Sequence, residues 1–229
     1  MSPDHVYAVV TGDVVGSSKL PADKRKILLQ CLDSGFDAAL RVVDESASHL
    51  PPFEVFRGDS FQGILSKADQ GLRAALIIRA SLLAQPEIRK GIRLDTRIAI
   101  GVGPVQFVPK ERVGLGDGDA YRFSGGELET LKKRKVNLMI KTPWDSFNDE
   151  LRTESFLADA IIRSWSPAQA EAMLYALSGA TQAGIAHTLG ISQEAVFYRL
   201  DGAKNWAIQE FLSRYKEIIS KSLSNGVNE

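Results

Sequence analysis

The chain is 229 residues long, 44% hydrophobic and 24% charged, with 28 Lys+Arg against 28 Asp+Glu. That is the profile of a globular protein with room for one full core and a second small unit, and it excludes extended disorder away from the ends. The single cysteine, Cys31, excludes an intrachain disulfide and a thiolate metal cluster, and His5, His49 and His187 show no ligand spacing.

The N-terminal run HVYAVVTG is rich in Val and Tyr, ends at Gly12 and predicts a strand. It lacks a basic leader and is too short to span a bilayer, so a cytoplasmic protein without membrane contact is expected. Pro21 then opens a predicted amphipathic helix with Ile27, Leu28, Cys31, Leu32, Phe36 and Leu40 on one stripe, ending before LPPF. Cys31 on that stripe reads as a packing residue. FEVFRGDSFQGILS predicts two short strands around a Gly58-Asp59 turn. ADQGLRAALIIRASLLAQ predicts a helix closed by Pro86, LDTRIAIGVG a strand, GGELETLKKR a helix and VNLMIKT a strand. Between them, residues 103–124 are too glycine-rich for regular structure and predict a functional loop.

The resulting order, strand-helix-strand-strand-helix-strand followed by helix and strand, is the split βαβ or ferredoxin-like order. It predicts an α+β unit: an antiparallel sheet with helices on one face and an open face for function. Residues 1–142 form this unit in the expected division, 143–164 a polar linker, and 165–229 an all-helical unit.

In that order the first strand neighbours the central hairpin, so Asp13, in TGDVVGSS, and Asp59, in FRGDSFQ, end adjacent strands. Two close carboxylates repel unless a cation lies between them, and hard oxygen ligands suit Mg²⁺, which shares its shell with phosphates. The VVGSS segment after Asp13 (Val14, Val15, Gly16, Ser17, Ser18) offers backbone N–H groups and hydroxyls to a triphosphate. It is not a Walker A loop. Arg57 stands beside the second pair. The acidic GDGDA at 116–120 lacks the Gly and Glu positions of a calcium-binding EF-hand loop. Taken singly, each Gly-Asp pair also fits an ordinary turn.

These motifs resemble the class III nucleotidyl cyclase catalytic domain, and more closely the SatD-like proteins, over roughly residues 5–142. The resemblance implies that Asp13 and Asp59 hold Mg²⁺ with a nucleoside triphosphate while residues 14–18 wrap its phosphates. The chain departs from the cyclase pattern in two places. Arg122 and Gly126 stand where cyclases carry their transition-state Asn and Arg, and Val55 replaces the purine-reading Lys. Arg122 is the candidate catalytic donor if the chain is an enzyme; both Arg57 and Arg122 also fit a surface arginine paired with a carboxylate.

In the C-terminal part, Ser166-Pro167 starts a helix, TQAGIAHTLG gives a second ending at Gly190, and Ser192 caps a third with Val196, Leu200 and Ala203 inward. This predicts a helix-turn-helix, resembling that of sigma-factor region four, with a long helix after it. Gln193, Glu194, Phe197, Tyr198, Arg199 and Lys204 are the positions free to face a groove of double-stranded DNA. A homodimer presenting two such helices is the expected reader. The functional expectation is a transcriptional regulator with a nucleotide-binding sensor. The alternatives are an active nucleotidyl cyclase acting on ATP or GTP, and an interaction module that has lost both ligands.

Overall fold

The computed structural model describes residues 5–21, 24–43, 50–56, 58–85, 93–108, 110 and 112–225. The chain runs β1 (Val6–Val14), α1 (Arg25–Val43), β2 (Glu54–Phe56), β3 (Ser60–Leu65), α2 (Gly71–Leu83), β4 (Thr96–Phe107), β5 (Asp117–Gly118), α3 (Asp119–Lys133), β6 (Leu138–Lys141) and α4 (Asp145–Arg163). Helices α5 (Pro167–Leu177), α6 (Gln182–Leu189), α7 (Gln193–Gly202) and α8 (Asn205–Asn225) follow.

The sheet order is β2-β3-β1-β4, antiparallel throughout, with β6 parallel to β4 on its outer side and β5 paired to the far end of β4. This is the ferredoxin-like α+β order expected from the sequence, with a helical C-terminal part. Alternation along β1 sends Ala8 and Val10 into the core beneath α1 and α2, and Tyr7 and Val9 to the opposite face.

Helix α2 explains the join between the two parts. A helix apolar on every side must be covered on every side, and Arg73 is the one residue of α2 that is not buried. The sheet and α1 take one side, and the C-terminal helices take the rest. Arg73 donates to the Leu177 carbonyl at 3.2 Å, and the Tyr215 hydroxyl to the Ala68 carbonyl at 2.8 Å. A single apolar core therefore runs from Leu32 and Phe61 through α2 to Trp165, Met173 and Tyr215.

Four sequence expectations are corrected. Pro21 does not open α1, which starts at Arg25; Pro21 instead accepts the Lys24 N–H in a turn. Residues 103–124 are largely ordered elements: β4 continues to Phe107, β5 pairs with it, and α3 begins at Asp119. Gly101 marks a close helix crossing. A Cβ there would lie 2.1 Å from the Ala120 carbonyl oxygen, so α3 lies flush on the sheet face expected to be open. Finally, residues 143–164 contain α4 rather than a polar connection, packed along β6.

Candidate functional site

The two Gly-Asp segments meet at one end of the sheet. The register sets Asp13 opposite Ser60 on β3 and opposite Arg97 on β4. The Val14 N–H donates to the Asp59 carbonyl at 3.0 Å and the Val15 N–H to the Asp95 carbonyl at 2.9 Å, so the tip of β1 is clamped between the hairpin turn and the start of β4. The Thr96 hydroxyl adds a bond to the Asp13 carbonyl at 2.7 Å.

The Asp13 side chain is 8% exposed, and its Oδ1 lies 2.8 Å from Nε of Arg97. A carboxylate this buried needs a compensating charge, and Arg97 supplies it. Asp59 is held differently: its Oδ2 accepts a hydrogen bond from the Ser17 hydroxyl at 2.5 Å. Each carboxylate uses one oxygen in these bonds.

Gly16 takes the left-handed conformation (φ 75°), which favours glycine, and lets the chain reverse into a single 3-10 turn at Ser17–Lys19. The turn after Asp13 therefore does not lead straight into α1. With the Val14 and Val15 amides used within the fold, Gly16, Ser17 and Ser18 are the part of the turn whose N–H groups have no backbone partner beyond it among the described residues. A cleft of about 120 Å³ beside the turn is lined by Ser17, Ser18, Arg25, Leu28, Gly58 and Asp59. A separate groove of about 620 Å³ is lined among others by Thr11, Glu54, Phe56, Gln62 and Arg112. Its floor is organised by a hydrogen-bond chain in which Gln62 Nε2 donates to the Thr11 hydroxyl (2.8 Å) and Thr11 to Ser124 (2.9 Å).

Arg25 and Arg97 were missed by the sequence reading. Arg97 carried a signal, being the one charged residue in the apolar β4 run Thr96–Phe107. Arg122 stands on the exposed side of α3, its guanidinium engaged by Asp117 at 2.8 Å and Asp119 at 2.7 Å. Those carboxylates, the hydrogen bond to Asp119 foremost, hold its pKa above the usual arginine value. Arg57 lies outside the described residues.

Behind the site, Arg79 is fully buried. Its guanidinium bonds both oxygens of Asp95 at 2.8 and 3.0 Å, and approaches Asp159 of α4 at 2.7 Å. Burial alone would raise the Asp95 pKa, but the Arg79 charge and hydrogen bonds from Arg79, the Thr96 N–H and Asn137 together hold it below the usual carboxylate range. The residue whose carbonyl fixes Val15 is thereby anchored to α2, β6 and α4.

Asp13 and Asp59 are carboxylates from adjoining turns, each with one oxygen outside its hydrogen bond, and hard oxygen ligands of this kind are what Mg²⁺ takes. Among the described residues no group of three or more His, Cys, Asp or Glu side chains forms a metal cage.

In the C-terminal part the helix-turn-helix geometry is present. Ser192 caps α7 through the Ala195 N–H at 3.1 Å, and Gly190 closes α6 in the left-handed conformation (φ 63°). Ile185 and Val196 are fully buried, with Leu189 and Ile191 packed against the core. Gln193, Glu194, Phe197, Tyr198 and Lys204 are exposed. Arg199 is half-buried, and its guanidinium donates to Glu171 of α5 at 3.1 Å, so it braces the motif instead of standing free.

No protein-family profile and no curated protein matches the chain. Solved structures share part of its path. A monomeric guanylyl cyclase domain of the RhoGC fusion protein from Blastocladiella emersonii matches at 18% identity and TM-score 0.43, over 55% of this chain and 75% of that one. A bacterial light-regulated adenylyl cyclase matches at 21% identity and TM-score 0.40, over 59% and 74%. The GGEEF domain of a Vibrio cholerae diguanylate cyclase matches at 16% identity and TM-score 0.41, over 62% and 85%.

Proposed function

We propose that the protein is a nucleotide-responsive, DNA-binding regulator. Residues 1–142 bind a nucleoside triphosphate with Mg²⁺, and residues 165–229 bind double-stranded DNA as a homodimer, with α4 joining the two. The observation that supports this reading is the backbone clamp that joins the two Gly-Asp segments, Val14 N–H to the Asp59 carbonyl at 3.0 Å, with Arg97 on the first carboxylate and Ser17 on the second.

In this reading Asp13 and Asp59 hold the ion, which when bound supplies positive charge to the triphosphate. Arg97 and Arg25 meet phosphate oxygens, and Gly16, Ser17 and Ser18 direct N–H and hydroxyl donors at the same anion. Arg97 pairs with Asp13 until the ligand arrives. The groove over Thr11 and Gln62 takes the nucleoside. Binding rather than turnover is favoured because Arg122, which stands where the resemblance calls for a transition-state donor, is engaged by Asp117 and Asp119. An oriented donor missing from a phosphoryl-transfer site lowers the rate by about two to three powers of ten.

The route from sensor to DNA is α2 with the buried Arg79 cluster. The site's backbone clamp and the α5 and α8 packing share that helix, so a shift at Asp95 has no soft layer to absorb it. A ligand moves this equilibrium only if it binds the two states unequally. Fluorescence anisotropy of a labelled duplex, with and without ATP or GTP and Mg²⁺, tests it. The expected outcome is a nucleotide-dependent change in DNA affinity that Asp59→Ala abolishes. DNA affinity indifferent to saturating nucleotide would contradict the reading.

A further inference from the structure

The chain has no net charge, yet Lys132, Lys133, Arg134 and Lys135 are consecutive at the end of α3. Lys132 and Lys133 complement the helix C-terminus, and Lys132 also pairs with Glu129. Helix electrostatics does not account for the next two, because α3 has ended and the chain is turning toward β6. Arg134 and Lys135, with Arg163 of α4, instead edge a cavity of about 580 Å³ whose walls include Val136, Phe156 and Ala160. Arg163 is held there by a bond to the Lys135 carbonyl at 2.8 Å.

The acidic residue at this cavity is already committed: Asp159 is 3% exposed and lies 2.7 Å from Arg79, against 3.9 Å from Arg163. Among the described residues no carboxylate lies within ion-pair distance of Lys133, Arg134 or Lys135. The edge therefore carries concentrated positive charge on an otherwise balanced molecule.

Its position adds the second argument. Arg163 precedes the buried Trp165 by two residues, and the Trp165 indole N–H donates to the Ala203 carbonyl at 2.8 Å. Lys204, exposed in the turn after α7, follows Ala203 directly. The end of α4 is thus tied to the chain just after α7 through one tryptophan.

We propose that Lys133, Arg134, Lys135 and Arg163 form a second site for the phosphate backbone of double-stranded DNA, flanking the helix-turn-helix; the inference rests on the DNA-binding reading above. Exposed, flexible cations in a row suit an extended polyanion, which they position without reading its sequence. A small anion would require convergent buried donors, and these side chains are exposed. The site also meets the electrostatic demand that α7, with Arg199 bound to Glu171 and Lys204 offset by Glu194 and Asp201, meets poorly.

The test is duplex binding by anisotropy between about 50 and 200 mM salt for wild type, Lys133→Gln/Arg134→Gln/Lys135→Gln and Gln193→Ala/Lys204→Gln, with a single-stranded RNA of equal length as competitor. The triple variant is expected to fold as wild type and to lose about 2–3 units of slope in log K against log salt, since each released phosphate contact contributes about 0.9. An unchanged slope would overturn the proposal while leaving the helix-turn-helix reading intact if the Gln193/Lys204 variant weakens binding. Loss in the triple variant alone would sustain this site and sink that reading. RNA displacing duplex in a tract-dependent manner, or no duplex binding by wild type, would also overturn it.

Discussion

The Arg97 guanidinium lies 2.8 Å from the Asp13 carboxylate across the β1–β4 pair, at the place where a second cation would have to share that carboxylate. Arg97→Gln should therefore separate two effects. Asp13 is left buried and uncompensated, which lowers stability by about 1–3 kcal/mol, while one carboxylate oxygen is released for a metal. Urea unfolding should show a lower midpoint, and Mn²⁺ titration without nucleotide should show tighter binding. Stability equal to wild type would mean the pair is exposed to water in solution.

The buried Arg79 cluster sets an acid limit. Because the folded-state pKa of Asp95 is depressed, its stabilisation is fully present above the unfolded carboxylate value, about 3.9, and is lost as pH falls through the lower folded value. Stability of wild type should therefore drop steeply below about pH 4. Asp95→Asn should be less stable at pH 7 and should lose part of that acid dependence. Arg79→Ala, which leaves the buried Asp159 and the half-buried Asp95 without their cation, should cost about 3–5 kcal/mol.

Much of the fold was legible because strands and glycine turns leave local marks: the order of β1–β4 and β6, the adjacency of the two Gly-Asp segments and the caps of α5 and α7 all follow from short stretches. Helix α4 left a poor mark because its buried face consists of Leu151, Ser155, Ala158, Asp159 and Ile162, and small or charged members hide an apolar stripe. The start of α3 was hidden by glycines and acids, and the helix clearance that Gly101 provides depends on a crossing that strand pattern alone does not mark. In the site, Asp13 and Asp59 were legible as strand-end acids, whereas Arg25 and Arg97 join it only through the turn geometry and the strand register.

Gly101→Ala tests that clearance. The added methyl would meet Ala120 and Ser124 backbone atoms at 2.1 and 2.5 Å, and backbone cannot rotate away. A loss of about 3 kcal/mol or more is expected, at the upper end for overpacking. A thermal midpoint unchanged from wild type would show that α3 stands farther off β4.

Ser192→Ala removes the α7 cap and should cost about 1 kcal/mol. Trp165→Phe leaves the Ala203 carbonyl without its indole donor and should cost about 1–3 kcal/mol. Because the core is continuous, both losses should appear as a shift of one cooperative unfolding transition. A separate early transition would mean the C-terminal helices melt independently.

The most direct test of the central claim is calorimetric titration of ATP and GTP, with and without Mg²⁺, into wild type and the Asp13→Ala/Asp59→Ala variant. The account expects binding of at least one nucleotide to wild type that strengthens with Mg²⁺ and is lost in the double variant. Binding that ignores both Mg²⁺ and the two substitutions, or none in wild type, would contradict it and leave the Gly-Asp pairs as turns.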